Sequence, residues 1–415
     1  MKKLIHARVI FLVLLAGLFA SSCAQDPIFY HISMETELNS PVIEGSPQNI
    51  VITSYGAYVW TFRGSNVWSF EGRWGWRWGN LPSPGYPILG LTAVGEDLYA
   101  AIYDGGSSRI MSFNTAAPGA WQIFASVPGQ VVTRLYSAGG RIFARSQPYN
   151  DIAVRNILRF PVGGGGTHEV LRSEGIGNTL FGVAERPNGN ILLATSSDGI
   201  FQLANAGAPP IPVGAAPLFS VGDMNMTTVA GMIRTGNDIV VAGNTFSNGR
   251  IFIISPGDAT QQGTLPGGNL VFTGGMSTWL RFNNNTWEPS LLLLGVRSLD
   301  RVPPRGFLGY RELHLNASGN VGSLPVTPFS RPGDGDISSV GNPARFRASL
   351  GNRAVEDIVQ IPPTMLLTNP QSPPADNWQP PVFASTAREG LWVYNFRGTG
   401  GEGEWNADNN TITWP

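Results

Sequence analysis

Short runs of apolar residues alternate with turn residues along most of the chain, and the segment Asn188–Leu203 shows this pattern most clearly. It contains the apolar run Ile191–Ala194, the turn residues Ser196–Gly199 and a second apolar run, Ile200–Leu203. Gly and Asn tolerate the positive φ angles of tight turns, so two strand-length apolar runs beside such a turn predict a β-hairpin. We therefore predict a chain built from hairpins.

Similar hairpins recur along the chain. The first apolar residues of their second strands are spaced by 40, 44, 49, 48, 52 and 74 residues. These residues are Tyr58, Leu98, Ile142, Ile191, Ile239, Leu291 and Met365. Repeats of about forty to fifty residues with several short strands each are typical of β-propellers, whose four-stranded antiparallel sheets pack face to face around an axis. The spacing predicts an all-β, seven-bladed β-propeller with four strands, A to D, in each blade.

The apolar runs predict most strands directly, but the strands that end several blades and those of blade 7 have a weaker pattern. We predict the last strand of blade 4 at Ala216–Gly222, that of blade 5 at Asn269–Gly274 and that of blade 6 near Val321–Val326. In blade 7 we predict the second strand at Met365–Asn369, the third at Gly390–Phe396 and the last near Ile412–Trp414. A pair of β-sandwiches would also contain many short strands, but no linker divides the chain into two domains.

Seven blades of this kind resemble the broad propeller group that includes the NHL, YVTN and WD-repeat proteins, over about residues 45–415. The resemblance implies the fold and no activity, because the blades lack a regular Trp-Asp ending. Blades 1 and 7 are each complete in chain order, so the ring needs another means of closure. The alternating run Phe29–Glu37 is a candidate closing or edge strand.

Four long connections between strands are predicted to lie on the rim that carries the B–C and D–A loops. They are Gln147–Arg155, Arg297–Gly306, Thr327–Asn352 and about Pro370–Gly390. Long loops on a rigid scaffold are where binding functions concentrate, and Arg and aromatic residues anchor interfaces. The candidate binding residues are Tyr149, Asp151, Arg155, Arg301, Arg305, Arg331, Asp334, Asp336, Arg345, Phe346, Arg347, Trp378 and Arg388. Paired prolines within these loops leave open the alternative that they only cover the rim.

The tryptophans of the first blade form a second unusual cluster, comprising Trp60, Trp68, Trp74, Trp76 and Trp78. If the last strand of the blade spans Trp74–Trp78, alternation places three of these tryptophans on one face. We predict that this face packs against a neighbouring blade. A platform for carbohydrate or peptide is the alternative.

The N-terminus predicts export. Lys2, Lys3 and Arg8 precede the apolar run Val9–Leu18, which is too short to span a bilayer and is typical of a secretory signal. The single cysteine, Cys23, ends the sequence LFASSC.

That ending resembles the lipobox of bacterial lipoproteins, in the looser form found in spirochaetes, with Ala20 where the usual box has Leu. The resemblance implies cleavage before Cys23, acylation with chains such as palmitate, and attachment to a membrane at about 0.8 kcal/mol per buried methylene. Ala24 then favours the outer membrane. Residues 1–22 would be the signal, 23–45 a tether and 46–415 the propeller. The alternative is cleavage after Ala24, which releases a soluble periplasmic or secreted protein.

Charge excludes one class of partner. Against 28 Asp and Glu the chain has 27 Lys and Arg, and charged residues make up 13% of it. Such a chain lacks the basic field that nucleic acids require, so we expect no nucleic-acid partner. Aromatic residues at 10% are sufficient for a core.

No catalytic motif stands out. Gly163–Gly166 lacks the Lys-Ser/Thr of a phosphate loop, and Asp334-Gly335-Asp336 offers too few ligands for a calcium loop. Glu356 with Asn283 and Asn284 is the nearest approach to the central metal site of propeller hydrolases. We therefore expect no catalytic residues, cofactor or metal, and a lipid-anchored envelope protein that binds a protein or an envelope component. A periplasmic metal-dependent hydrolase or lactonase that uses the central channel is the alternative.

Overall fold

The structure, a computed structural model, describes most of the chain from residue 41 onwards. The described ranges are 41–72, 76–161, 166–265, 269–283, 286–300, 309–322, 354–367, 379–397 and 402–407, with only the backbone of 283, 395–397 and 402–407. The predicted signal, Cys23 and the candidate closing strand Phe29–Glu37 lie outside the described residues. Within these ranges no helix has the length and apolar character needed to cross a bilayer.

The chain folds into seven antiparallel sheets, each a meander of consecutive strands. Blade 1 contains β1 (Val51–Ile52), β2 (Gly56–Trp60), β3 (Val67–Glu71) and β4 (Arg77–Asn80). Blade 2 contains β5 (Ile88–Val94), β6 (Asp97–Tyr103), β7 (Ser107–Asn114) and β8 (Gln122–Pro128). Blade 3 contains β9 (Gln130–Ala138), β10 (Arg141–Pro148), β11 (Arg155–Pro161) and β12 (Glu169–Glu174). Blade 4 contains β13 (Leu180–Glu185), β14 (Ile191–Thr195) and β15 (Ile200–Leu203).

The remaining three blades follow in the same order. Blade 5 contains β16 (Thr228–Thr235), β17 (Asp238–Asn244), β18 (Gly249–Ile254) and β19 (Thr260–Thr264). Blade 6 contains β20 (Leu270–Asn283), β21 (Thr286–Ser298) and β22 (Tyr310–His314). Blade 7 contains β23 (Val355–Gln360), β24 (Val382–Thr386), β25 (Leu391–Arg397) and β26 (Glu402–Ala407). The protein is an all-β, seven-bladed β-propeller, as its hairpin repeat predicts.

Two blades complete their outer edge with a single bridge instead of a regular fourth strand. Phe219 pairs with Ile200 at the edge of blade 4, and Val321 pairs with Leu315 at the edge of blade 6. The predicted last strands of these blades, near residues 216–222 and 321–326, therefore shrink to one bridged residue each within the described ranges.

Three strand predictions are wrong. Asn269–Gly274 does not end blade 5, because residues from Leu270 onwards begin the long first strand of blade 6 and β19 closes blade 5. In blade 7, the predicted strand Met365–Asn369 begins inside a one-turn helix, α1 (Pro363–Leu366). Proline suits the first turn of a helix, so Pro363 stabilises that turn in place of a strand. The second strand of blade 7 is β24, and its last strand is β26 in place of the predicted Ile412–Trp414, which lies outside the described residues.

Hydrophobic clusters fill each of the seven interfaces between neighbouring blades. Each cluster combines strands from two adjacent sheets, so the core is a ring of seven layers with no single centre. This arrangement explains the strong apolar runs of the second strands, such as Leu291–Leu294, whose side chains are all fully buried and face neighbours on both sides of the sheet.

The first strands of neighbouring blades approach each other closely, and each first strand is irregularly paired with the second strand of its own blade. In every blade the pairing between the first and second strands slips by at least one residue, which is the signature of a β-bulge. In blades 2, 4 and 5 the residue after the bulge is Gly90, Gly182 or Gly231. A Cβ at Gly90 would lie 2.9 Å from the backbone Cα of Arg134, so only glycine permits this approach to the next blade.

The ring closes without strand exchange among the described strands, because blade 1 and blade 7 each use strands from one end of the chain. Backbone segments join them instead: Leu391 N donates to Ile43 O at 3.0 Å and Gly390 N donates to Gly45 O at 3.0 Å. Ile50 N donates to the Asp357 carboxylate at 2.7 Å. The seam is therefore a set of hydrogen bonds over a hydrophobic layer.

Aromatic side chains form that layer. The Phe383 ring of blade 7 lies 5.1 Å from the rings of both Phe70 and Trp78 of blade 1, in edge-to-face geometry. This confirms the packing role predicted for Trp78. The predicted strand Trp74–Trp78 is too long, because Trp76 has a positive φ of 54° and β4 begins at Arg77; Trp74 lies outside the described residues.

We expect Gly90→Ala and Gly182→Ala to lower the free energy of unfolding by about 1–3 kcal/mol each, because the added Cβ overlaps the backbone of the next blade. Gly106→Ala is the matched control, since Gly106 has open space around its Cα and should change stability by less than about 0.5 kcal/mol. Urea unfolding monitored by tryptophan fluorescence measures the difference. Equal stability of all three variants would contradict the close-approach argument.

Candidate binding site on one rim of the propeller

The strand connections define two rims. Because each blade is an antiparallel meander, its B–C turn and the D–A connection to the next blade lie on one rim, which we name the upper rim. The A–B and C–D connections lie on the other, the lower rim. The described residues that flank three of the four predicted connections, Gln147–Arg155, Arg297–Gly306 and Thr327–Asn352, lie at this rim, as predicted.

The prediction that all four long connections share the upper rim is wrong. Residues 361–381 join β23 to β24, which makes them an A–B connection that leaves the blade at the lower rim. The error follows from the misplaced second strand of blade 7: Pro370–Gly390 is not a B–C loop. The true B–C turn of that blade is short and lies between Thr386 and Leu391.

Four of the candidate binding residues fall within the described ranges, all on the upper rim. Tyr149 and Asp151 are exposed in the B–C loop of blade 3, Arg155 is half-buried at the end of that loop, and Arg388 is exposed in the B–C turn of blade 7. The others lie outside the described residues: Arg301, Arg305, Arg331, Asp334, Asp336, Arg345, Phe346, Arg347 and Trp378.

Exposed large apolar side chains gather on the upper rim, a feature that the sequence analysis missed. Within the described ranges the exposed upper-rim side chains of this kind are Phe62, Tyr86, Tyr149, Ile152, Ile176, Phe246 and Leu299. The lower rim has Tyr55 and Val213, and the outer strands have Ile123 and Val170. Phe246 is 92% exposed and Ile152 is 73% exposed. The apolar surface therefore distinguishes one rim from the other.

An open pocket of about 380 Å³ lies at the upper rim between blades 3 and 4. It is lined by Thr133, Arg145, Ser146, Gln147, Arg155, Ile176, Thr179, Phe181, Ser196, Ser197 and Thr228. The lining contains two arginines and several hydroxyl groups but no carboxylate. We name it the rim pocket. Of these residues, the sequence analysis identified only Arg155.

The bulges of the inner strands shape the rim pocket. Thr133 is the extra residue of β9 and Phe181 is the extra residue of β13, so each bulge turns a side chain out of the regular pleat towards the pocket. Arg145, on the neighbouring strand β10, donates from Nε to Thr133 Oγ1 at 2.8 Å. Its guanidinium carbon lies 5.3 Å from the centre of the Phe181 ring. Thr133 and Phe181 thus hold the Arg145 side chain in place.

The charge of Arg145 has no counter-ion within the described residues. Its terminal nitrogens form no hydrogen bond with them, and no carboxylate among them lies within ion-pair distance. Burial lowers the pKa of Arg145; the Tyr136 side chain acts in the opposite direction, and the charges of Arg134 and Arg155 lower the pKa further. Arg155 donates from one terminal nitrogen to the carbonyls of Ile152 and Val154, which fixes it beside the pocket.

The central channel forms a second cavity of about 360 Å³, lined by the first strands of all seven blades. Its charged lining residues are Arg134 and Asp357. Burial raises the pKa of Asp357 to about 6, although hydrogen bonds from Ile50 N and Ile358 N and the charge of Arg134 favour the ionised form. Burial also raises the pKa of the neighbouring Glu356, and the charges of Arg134 and Arg297 oppose that shift.

The described ranges offer few ligands for a metal ion in the channel. They contain no group of three or more His, Cys, Asp or Glu side chains that could hold a metal ion. Of the residues proposed for a central metal, Glu356 is half-buried on β23, Asn283 ends β20 and Asn284 lies outside the described residues. Among the described residues the channel lining therefore presents one carboxyl group, that of Asp357, and one arginine, Arg134.

Comparisons with known proteins identify no family: no family model matches the chain and no curated protein matches it. Solved structures with similar folds include the extracellular domain of a proposed hybrid two component system, BT4673, from B. thetaiotaomicron, at 12% identity and a TM-score of 0.48. That similarity covers 84% of this chain but spans only 38% of the other chain.

The N-terminal domain of Nup159 is similar at 10% identity and a TM-score of 0.45, covering 87% of this chain and 92% of that one. The PQQ-bound aldose sugar dehydrogenase from Streptomyces coelicolor is similar at 14% identity and a TM-score of 0.39, covering 62% and 90%. Similarities this distant carry no functional information. The class of the protein, a seven-bladed β-propeller, is defined by its own sheet order.

The raised pKa of Asp357 makes a testable contribution to stability. Because the folded protein binds this proton more tightly than the unfolded chain, the native state loses stability as the pH rises from about 4 to 6. Asp357→Asn removes the effect. We expect the unfolding free energy of the wild type, minus that of the variant, to fall by up to about 3 kcal/mol between pH 4 and pH 7.

Chemical denaturation at several pH values measures this difference. At pH 4 both side chains are mostly neutral in the folded protein, so that point serves as the internal control for packing changes. A difference that grows with pH would show that the Ile50 and Ile358 hydrogen bonds outweigh burial.

Proposed function

We propose that this protein is a lipid-anchored binding protein of the bacterial cell envelope whose upper rim contacts a protein partner or an envelope component. The observation that carries the proposal is the concentration of exposed apolar side chains on that rim. Seven exposed side chains of this kind lie on the upper rim and two on the lower rim within the described ranges. Apolar and aromatic anchors of this kind dominate the energetics of interfaces.

The architecture supports the proposal in a second way. The upper-rim residues project from turns between strands whose central residues are fully buried. Because this scaffold already fixes the turns, binding costs little further conformational entropy. Several B–C turns are closed by a side chain at the end of the second strand. Thr195 Oγ1 donates to Gly199 O at 2.9 Å in blade 4, and Thr386 Oγ1 donates to Gly390 O at 2.8 Å in blade 7. These turns present a preorganised surface.

The proposed anchor is consistent with the path of the chain. The first described residues lie beside the B–C turn of blade 7, where Ile43 and Gly45 accept hydrogen bonds from Leu391 and Gly390. The segment from Cys23 to residue 41 would reach at most about 60 Å if fully extended. A lipid on Cys23 would therefore tether the start of the propeller within about 60 Å of the membrane surface.

Site-specific photo-crosslinking in cells tests the binding rim. A photoreactive amino acid at Ile152 or Phe246 should give one discrete adduct, because both side chains are exposed on the upper rim. Val213, which is 78% exposed on the lower rim, and Ile123 on an outer strand are matched controls that should give none. Ile152→Ser should at least halve the adduct formed from Phe246. Adducts that form equally from Val213 would overturn the choice of rim.

The anchor is tested separately. We expect the wild-type protein to partition with membranes and detergent and to incorporate labelled palmitate, and Cys23→Ser to lose both properties, because lipidation needs the thiol. Mass spectrometry of the mature N-terminus is the decisive measurement. A wild-type protein that begins at Gln25 and remains in the aqueous phase would mean ordinary signal cleavage after Ala24, with no lipid anchor.

A further inference from the structure

The rim pocket combines positive charge with a lack of internal counter-ions. Arg145 and Arg155 line it, and no Asp or Glu does. The acidic residues nearby are engaged elsewhere: Glu174 lies 2.6 Å and Asp198 3.9 Å from the Arg172 guanidinium. Asp151 accepts a hydrogen bond from Ala153 N within its own loop. Within the described residues neither pocket arginine has a carboxylate partner, and both terminal nitrogens of Arg145 are without a hydrogen bond and available to an external anion.

The geometry of Arg145 favours a planar anion. Its Nε is taken by Thr133 Oγ1, which leaves the two terminal nitrogens for one further partner. A guanidinium fork matches the two oxygens of a carboxylate, and charge-assisted hydrogen bonds of this kind are roughly twice as strong as neutral ones. Holding a partly buried cation without a partner is costly, so a bound carboxylate would offset a cost that the free protein bears.

The other polar groups of the lining suit a ligand that carries hydroxyl groups. The side chains of Gln147, Ser197 and Thr228 line the pocket and form no hydrogen bond within the described ranges. Hydroxyl and amide groups both donate and accept, as sugar hydroxyls do. A volume of about 380 Å³ lies within the usual range for small-ligand sites, about 300–1,000 Å³.

We infer that the rim pocket binds the carboxylate-bearing unit of an acidic saccharide, with Arg145 and Arg155 on the carboxylate and the side chains of Gln147, Ser197 and Thr228 on the sugar hydroxyls. This inference rests on the proposed role of the upper rim as the binding face. The pocket opens beside Ile176, which is 66% exposed, so the rest of a saccharide chain can extend over the rim.

Isothermal titration calorimetry with trigalacturonate tests the inference on the mature protein. We expect trigalacturonate to bind and its affinity to fall as salt is raised, because the contact is charge-assisted. Maltotriose, which has the hydroxyls without the carboxylates, should bind at least tenfold more weakly. Arg145→Gln and Arg155→Gln should each lower the affinity about tenfold to a hundredfold, the usual effect of losing a hydrogen bond to a charged group.

Two controls separate binding from folding. Arg234→Gln changes an exposed arginine near the lower rim and should leave the affinity unchanged. Arg145→Lys keeps the charge but loses the fork and should give an intermediate affinity. The affinity of a variant is compared with that of the wild type only if the two proteins have the same thermal unfolding midpoint. If Arg145→Gln does not fold, Arg155→Gln alone tests the contribution of the pocket arginines.

The outcomes are distinct. No heat of binding with trigalacturonate at millimolar concentration, or equal binding to maltotriose, overturns the inference. Tighter binding of tetraglutamate than of trigalacturonate would assign the site to an acidic peptide and also overturn it. If Phe246 gives crosslinks but no saccharide binds, the proposed binding rim stands and the saccharide inference fails. If saccharide binds but no upper-rim position gives a crosslink, the saccharide inference stands and the proposed binding rim fails.

Discussion

Backbone contact between the inner strands of neighbouring blades is the constraint on which this propeller depends. Seven strands that converge on one axis leave no room for side chains between them at the point of closest approach. The chain meets this constraint with a bulge in every inner strand and with glycine next to the bulge in blades 2, 4 and 5. The hydrophobic layers between the blades can then form farther out, where strands diverge and there is room for Leu, Ile and Phe. Formation of the hydrophobic layers between the blades therefore depends on the close approach of the inner strands.

The same bulges connect the fold to the candidate site. An extra residue in a strand must project somewhere, and in blades 3 and 4 it projects as Thr133 and Phe181 into the rim pocket. These two side chains position Arg145 by a hydrogen bond and by ring contact. The bulges of the inner strands thus also position a charged group, the Arg145 guanidinium, at the rim. Bulges near functional sites in other proteins act in the same way.

The fold was predictable because its signals are local. A hairpin such as Ile191–Leu203 is encoded by residues that are close together in the sequence. The repetition of such hairpins along the chain defines the blades. The failures occurred where a local signal was ambiguous: the apolar residues after Pro363 suit a strand or a helical turn, and the run from Leu270 could end one blade or begin the next. Part of the upper rim could be predicted from loop length, including Arg155. The rim pocket could not, because Thr133, Arg145 and Ser197 come from different strands and turns, and only the folded blades bring them together. A charged residue inside an apolar strand, as Arg145 is in Arg141–Ser146, was the one signal that could have drawn attention to it.

The seam between blades 1 and 7 lies next to the point where the described chain begins. Ile43 and Gly45 meet the blade 7 turn on the upper rim, the same side that carries the exposed apolar residues. The described chain therefore begins on the rim that carries the proposed binding face, so a lipid on Cys23, as proposed above, would tether the propeller from that rim. A target held in the same membrane would then be met by diffusion in two dimensions, which raises its effective concentration near the rim.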